Sequence, residues 1–244
     1  MFAQASTPPG RARVAVIAMC AAVGLMLAPA SAMAGTYTAF NPPSLPEPPQ
    51  EDILGTIYGG TFVPSGVDFT NGAITARRVF DQTVPNLPID IITGTPTDAD
   101  QIWTDGTAEI TAQAMFALFP QSFGWNGGGL GTTYTELLTD ADIGGAPVNL
   151  MVTGDFLWGI NPGSPDMWWS LESNNSDNAD HLLTYQIDGL GVSETVWLLF
   201  WEDQPFGASD LDYNDFVIEL RAIPEPATLL LLSLGGLLVA RRRR

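Results

Sequence analysis

The chain predicts an all-β fold, an antiparallel β-sandwich of jelly-roll type, and three observations carry that expectation. From Glu51 to about Leu220 its apolar residues come in short runs rich in aromatic and β-branched side chains. Those runs are separated by dense turn punctuation at Pro64-Ser65-Gly66, Asn71-Gly72, Gly127-Gly128-Gly129, Gly144-Gly145 and Asn161-Pro162-Gly163. Finally, hydrophobic residues make up 45 % of the chain and charged residues only 15 %, which is enough to bury a sizeable core. We find no internal repeat, and one domain is the expected count.

Taken in order, residues 1–34 read as a secretory signal peptide. Arg11 and Arg13 form a charged start, Val14 to Ala28 an apolar stretch, and Ala32-Met33-Ala34 a cleavage site before Gly35. Residues 35–50 form a proline-rich linker, with Asn41-Pro-Pro-Ser-Leu-Pro-Glu-Pro-Pro-Gln50 expected to be extended and poorly packed. The domain proper is placed at 51–221. Its expected strands are Ile53–Tyr58, Ala76–Phe80, Ile89–Thr93, Val148–Val152, Phe156–Ile160, Met167–Leu171, Leu182–Ile187, Val196–Trp201 and Phe216–Leu220. Ala108–Phe119 is ambiguous, since its Ala, Met and Leu suit a helix while its short length also suits a buried strand.

Charge excludes several function classes. The chain has nine arginines, no lysine and 27 acidic residues. Between Gly35 and Leu220 only Arg77 and Arg78 oppose 26 acids, a net charge of about −24. Nucleic acid is therefore not an expected partner, because neutralising phosphates needs a basic face. Cys20 is the only cysteine and lies in the leader, and His181 is the only histidine, so disulfides, thiol catalysis and most zinc or copper sites are not expected. Divalent cations suit that charge best.

The stretch with the most chemistry is Trp201 to Phe216, which places Glu202, Asp203, Asp210, Asp212, Asn214 and Asp215 between two apolar runs. As the loop of a hairpin these oxygen-bearing side chains repel one another unless a hard cation sits among them, one ion shared by acids from both ends of the hairpin. Asp210, Asp212 and Asn214 follow the i, i+2, i+4 spacing of an EF-hand start, but Asp215 stands where the glycine belongs and Arg221 where the closing glutamate belongs. This is not an EF-hand. A solvated acidic turn without metal is the bland alternative.

Among the tryptophans, Trp158, Trp168, Trp169, Trp197 and Trp201 are expected mainly in the core. Because neighbours on a strand point to opposite faces, one of Trp168 and Trp169 is the candidate for an exposed carbohydrate contact. His181 is expected to be a hydrogen-bonded structural residue rather than a catalytic base.

The final segment changes character. Pro224-Glu225-Pro226 leads into the Leu/Gly-rich run Ala227–Ala240 and ends in Arg241–Arg244. As a helix the 14-residue run is about 21 Å long, marginal for a hydrocarbon core of about 30 Å, and the arginines should keep its end in the cytoplasm. These three parts, in this order, resemble the PEP-CTERM sorting signal of Gram-negative bacteria over residues 222–244. Pro46-Glu47-Pro48 has the same tripeptide without the apolar run or basic end and carries no such meaning. The resemblance implies recognition by an exosortase after signal peptidase has acted, cleavage near Pro224–Pro226, a transient inner-membrane anchor, and release to the cell surface or exopolysaccharide matrix.

A second resemblance covers about residues 177–220. Phe200-Trp-Glu202-Asp203 followed by Asp210-x-Asp212-Tyr213-Asn214-Asp215-Phe-Val217 is similar to the signature of a bacterial extracellular β domain that often precedes PEP-CTERM tails. Asp180-His181-Leu-Leu-Thr-Tyr185 resembles the segment before it. That family implies calcium (Ca2+) bound through these acids and no enzymatic activity; Trp201, between Phe200 and Glu202, departs from its pattern. The expected function is thus an exported, non-catalytic surface or matrix protein with a calcium-stabilised sandwich. The alternatives are a carbohydrate-binding module and, less favoured, a secreted carboxylate-dependent hydrolase. Because few residues separate the acidic loop from the tail, the loop is expected next to the point where the protein is held and cut.

Overall fold

Two β-sheets face each other in the computed structural model, which describes residues 40–43, 47–79, 87–88, 100–127, 130–163 and 165–223. All of them belong to the unit Gly35–Arg244. The leader, the expected strand Ile89–Thr93 and the tail from Pro224 onward lie outside the described residues.

The elements in chain order are α1 (Gln50–Tyr58), β1 (Val63–Ser65), β2 (Asp68–Thr70), β3 (Thr75–Arg78), β4 (Leu87–Pro88), β5 (Trp103–Met115), β6 (Ser122–Trp125), β7 (Thr135–Thr139), β8 (Val148–Phe156), β9 (Trp158–Asn161), β10 (Trp168–Trp169), β11 (Leu182–Asp188), β12 (Thr195–Trp201) and β13 (Phe216–Ala222). The larger sheet runs β1-β2-β3-β11-β12-β13-β5, with β8 on the far side of β5. All of these pairs are antiparallel; β4 adds a two-residue parallel pair at Trp103 and Thr104. The smaller sheet runs β10-β9-β6-β7, again antiparallel. Only Leu157 separates β8 from β9, so the chain crosses from one sheet to the other at that residue.

The central strands are buried on both faces, and their uninterrupted apolar sequence is the reason. Along β12, Trp197, Leu199 and Trp201 enter the core between the sheets, while Val196, Leu198 and Phe200 pack on the opposite face with Ile53 and Leu54 of α1. The inter-sheet core is aromatic: Trp158 lies 4.8 Å from Phe156, 5.1 Å from Phe123 and 6.0 Å from Trp103, centroid to centroid, and all four are fully buried.

Two expectations are corrected. Ile53–Tyr58 belongs to a helix, not a strand. Glu51 and Asp52 occupy its first turn, where acids favour the helix dipole, and Ile53/Ile57 and Leu54/Tyr58 repeat at i, i+4 against the sheet. The linker is not loosely held in its described part, since the Asn41 N–H donates to the Leu211 carbonyl at 2.7 Å and Gln50 is buried. Ala108–Phe119 resolves as strand through Met115, within β5.

Candidate metal centre

The acidic loop joins β12 to β13, and Trp201 and Phe216 on either side of it are paired across the sheet. The expected hairpin closure is therefore what the chain forms. Its acids do not face solvent as an ordinary turn's would: Glu202 is 0 % exposed, Asp203 6 %, Asp212 2 %, Asn214 1 % and Asp215 9 %. Among the six expected ligands only Asp210 is exposed.

The loop gathers these acids into two groups. Glu202, Asp203 and Asp215 bring one carboxylate oxygen each within 4.8 Å of the others. Two oxygens on opposite sides of a calcium ion, each about 2.4 Å from it, stand about 4.8 Å apart, so the spacing suits that ion. Backbone and side-chain donors orient the group. The Asp203 N–H donates to Asp215 Oδ2 at 2.8 Å, the Gln204 N–H to Glu202 Oε1 at 3.2 Å, and Gln121 Nε2 to Asp203 Oδ2 at 2.7 Å. Among the described residues no N–H or O–H group is placed to donate to Glu202 Oε2 or Asp203 Oδ1, both buried, although the Asp215 carboxyl lies against both side chains. An unsatisfied buried carboxylate oxygen is costly in a folded protein unless something outside the chain meets it.

The second group is Glu47, Asp210 and Asp212, again with oxygens within 4.8 Å of one another. Glu47 escaped the sequence reading: it sits between prolines, far along the chain from the loop, and no local pattern marks it. Asn214 bridges the two segments, its Nδ2 donating to Asp212 Oδ2 at 3.0 Å and to the Pro48 carbonyl at 3.2 Å. Gln50 Nε2 donates to the Asp212 carbonyl at 3.1 Å, and Gln50 Oε1 accepts from the Tyr185 hydroxyl at 2.9 Å. Leu211 (φ 64°) and Tyr213 (φ 57°) are both left-handed, a conformation that costs a bulky residue on the order of 1–3 kcal/mol. Full burial of Tyr213 and its hydroxyl bond to the Asp180 carbonyl at 2.7 Å hold that strained path in place.

Burial raises the carboxyl pKa of Glu202 and of Asp203. The same cause carries Asp212 to about 7 and Asp215 to about 10, with the charges of Glu202 and Asp203 pushing Asp215 further. Asp203 also feels Asp210 and Glu47, so the two groups share one electrostatic field. Buried acids whose charged forms are disfavoured suit a divalent cation, whose charge would reverse these shifts.

His181 is buried, with Nδ1 3.1 Å from the Glu202 carbonyl and Nε2 3.1 Å from Asp177 Oδ2. It stacks on Trp168 at 3.9 Å with 7° between the planes, and Trp168 Nε1 donates to the Asp203 carbonyl at 2.7 Å. Both residues thus brace the start of the loop, as expected of a structural histidine. Trp168 and Trp169 do not offer a sugar-binding face: they are 0 % and 2 % exposed. The rule of opposite faces holds, but both faces of β10 are covered. Trp168 enters the inter-sheet core, and Trp169 packs with Ile102 and Leu157 over Gly159, where a Cβ would meet its ring at 2.9 Å.

The loop is also not beside Ile223, the last described residue before Pro224. β13 starts at the loop and carries the chain away in extended form, about 20 Å over its length. It ends where the Ile223 N–H donates to the Thr107 carbonyl, at the opposite end of the strand from the acids.

No curated protein and no solved structure matches the chain. Residues 222–244 match the family model of the PEP-CTERM protein-sorting motif. The chain therefore carries a PEP-CTERM sorting motif at residues 222–244, the mark of an exported protein recognised by an exosortase and bound for the cell surface or beyond.

Proposed function

We propose that this is a non-catalytic surface or matrix protein whose β-sandwich is locked by calcium at Glu202, Asp203 and Asp215. The observation that carries this reading is the pair of buried oxygens with no donor among the described residues, Glu202 Oε2 and Asp203 Oδ1. The ion satisfies both, cancels the repulsion among three buried acids, and pins the start of β13 to the end of β12. At external calcium 100-fold above the dissociation constant the gain is about 2.7 kcal/mol. For a domain of this size that raises Tm by about 5–11 °C. Thermal unfolding with and without millimolar calcium checks this, and Asp203→Asn should abolish most of the shift. An identical Tm in both buffers would sink the reading.

A carbohydrate-binding role keeps one observation in its favour. A cleft of about 500 Å3 lies between residues 40–43 and 49–51 on one side and the β1–β2 hairpin on the other, lined by Phe40, Pro43, Val67, Phe69, Arg78 and Asp212 among others. That is the size of a small-ligand site. Acidic and neutral oligosaccharides should bind the protein and lose affinity at least tenfold in Val67→Asp, measured by calorimetry; affinities that the substitution leaves unchanged remove the cleft as the binding place.

A further inference from the structure

We infer that the acidic end of the sandwich takes two divalent cations rather than one, the second held by Glu47, Asp210 and Asp212, where it staples segment 40–50 to the β12–β13 loop. The inference rests on the calcium reading above and adds to it an ion, a residue far away in sequence and a structural task.

Charge is the first argument. The two groups share no residue and together present six carboxylates. One divalent ion among six ionised carboxylates leaves a net charge of about −4, whereas two leave about −2, and repulsion in a partly buried site falls accordingly. Oxygen spacing is the second. Each group separately meets the 4.8 Å limit that a single calcium coordination sphere sets.

Asn214 is the third, a neutral side chain beside the acids. Its amide nitrogen is committed to Asp212 Oδ2 and to the carbonyl of Pro48, the residue after Glu47. The amide is thereby held between the two segments that carry the ligands. Its oxygen, on a side chain 1 % exposed, has no hydrogen-bond partner. A neutral amide oxygen is an ordinary calcium ligand, and here nothing else in the described chain meets it.

Residues on both sides of 44–46 already meet the loop. Asn41 donates from its backbone to the Leu211 carbonyl and from Nδ2 to the Asp210 carbonyl at 2.8 Å. These bonds align the segment, and Glu47 is the one carboxylate it contributes. The second ion converts an aligned segment into a tied one.

Counting bound calcium tests this. Chelator-stripped wild-type protein dialysed against micromolar to millimolar calcium should bind two ions per chain, read by atomic emission. Glu47→Gln and Asp210→Asn should each bind one and keep the thermal response that Asp203→Asn loses. In wild type, calcium should also slow proteolytic cutting within residues 40–50 at least tenfold, and Glu47→Gln should cancel that protection. A wild-type count of one overturns the second ion and leaves the first intact; a count of zero overturns both. Two ions retained by Glu47→Gln, or any other pair of counts, also overturns the assignment.

Discussion

Calcium-free protein should lose stability as the pH rises from 6.5 to 8.5, and Asp215→Asn should remove most of that loss. Burial, followed by the charges of Glu202 and Asp203, raises the Asp215 carboxyl to about 10, and burial raises Asp212 to about 7. In the unfolded chain both titrate near 3.8. A folded pKa above the unfolded one means that the folded state binds the extra proton. The stability so contributed is complete below pH 3.8 and drains away until the folded pKa is passed. Each such group gives a slope of up to about 1.4 kcal/mol per pH unit. Between pH 6.5 and 7 both groups act, and above 7 Asp215 continues alone. Burial lowers the His181 pKa, so this histidine works in the opposite direction, and its contribution levels off once the pH is above the unfolded imidazole's 6.5. Calcium should invert the picture, since its carboxylate ligands must be ionised and its binding releases their protons. Chemical denaturation at several pH values in chelator and in calcium gives both slopes. A flat profile in chelator would show that the acids ionise without strain.

Trp158→Ala should cost about 3–5 kcal/mol, the largest loss from any single truncation in the inter-sheet core. Trp158 is fully buried on β9 and touches rings from three other strands: Trp103 on β5, Phe123 on β6 and Phe156 on β8. Removing the indole opens a cavity where the two sheets meet, beside the residue at which the chain changes sheets, and neither sheet can close on it alone. Against a total stability of about 5–15 kcal/mol that is a large share. Met151→Ala, at a side chain 77 % exposed on β8, is the control and should change stability by less than about 0.5 kcal/mol. Urea midpoints for the pair decide the matter. A loss below about 1 kcal/mol at Trp158 would mean that the sheets are held together elsewhere.

The legible parts of the fold are those whose residues dictate their own environment. β11, β12 and β13 appear at nearly the expected positions because runs such as Val196 to Trp201 have no polar residue and must be covered on both faces. β6 and β7 were not foreseen: Ser122-Phe-Gly-Trp125 and Thr135-Glu-Leu-Leu-Thr139 are short and partly polar, and each is a strand because of its neighbour. Gly124 makes that pairing possible, since a Cβ there would lie 2.2 Å from the Thr135 carbonyl oxygen. The sequence points to a strand at α1 because six residues cannot separate a helical stripe from a strand when Gly55 interrupts them. In the candidate site the hairpin acids were readable from composition alone, whereas their division into two groups depends on the left-handed turns at Leu211 and Tyr213. Glu47 joins by tertiary contact, and no spacing rule reaches from residue 47 to residue 212.

β13 also has a mechanical meaning. While the sorting motif is held at the membrane, any pull on the domain from outside enters the chain at Ile223 and runs along this strand. β12 and β5 flank β13 on both sides in antiparallel register. Tension between the acidic end and the tail therefore shears two ladders of hydrogen bonds at once instead of unzipping one. Asp215, immediately before the strand's first residue, is one of the buried acids, so a bound ion would act as a bolt at the far end of the rod. The protein would then resist being stripped from its attachment point most strongly where calcium is plentiful.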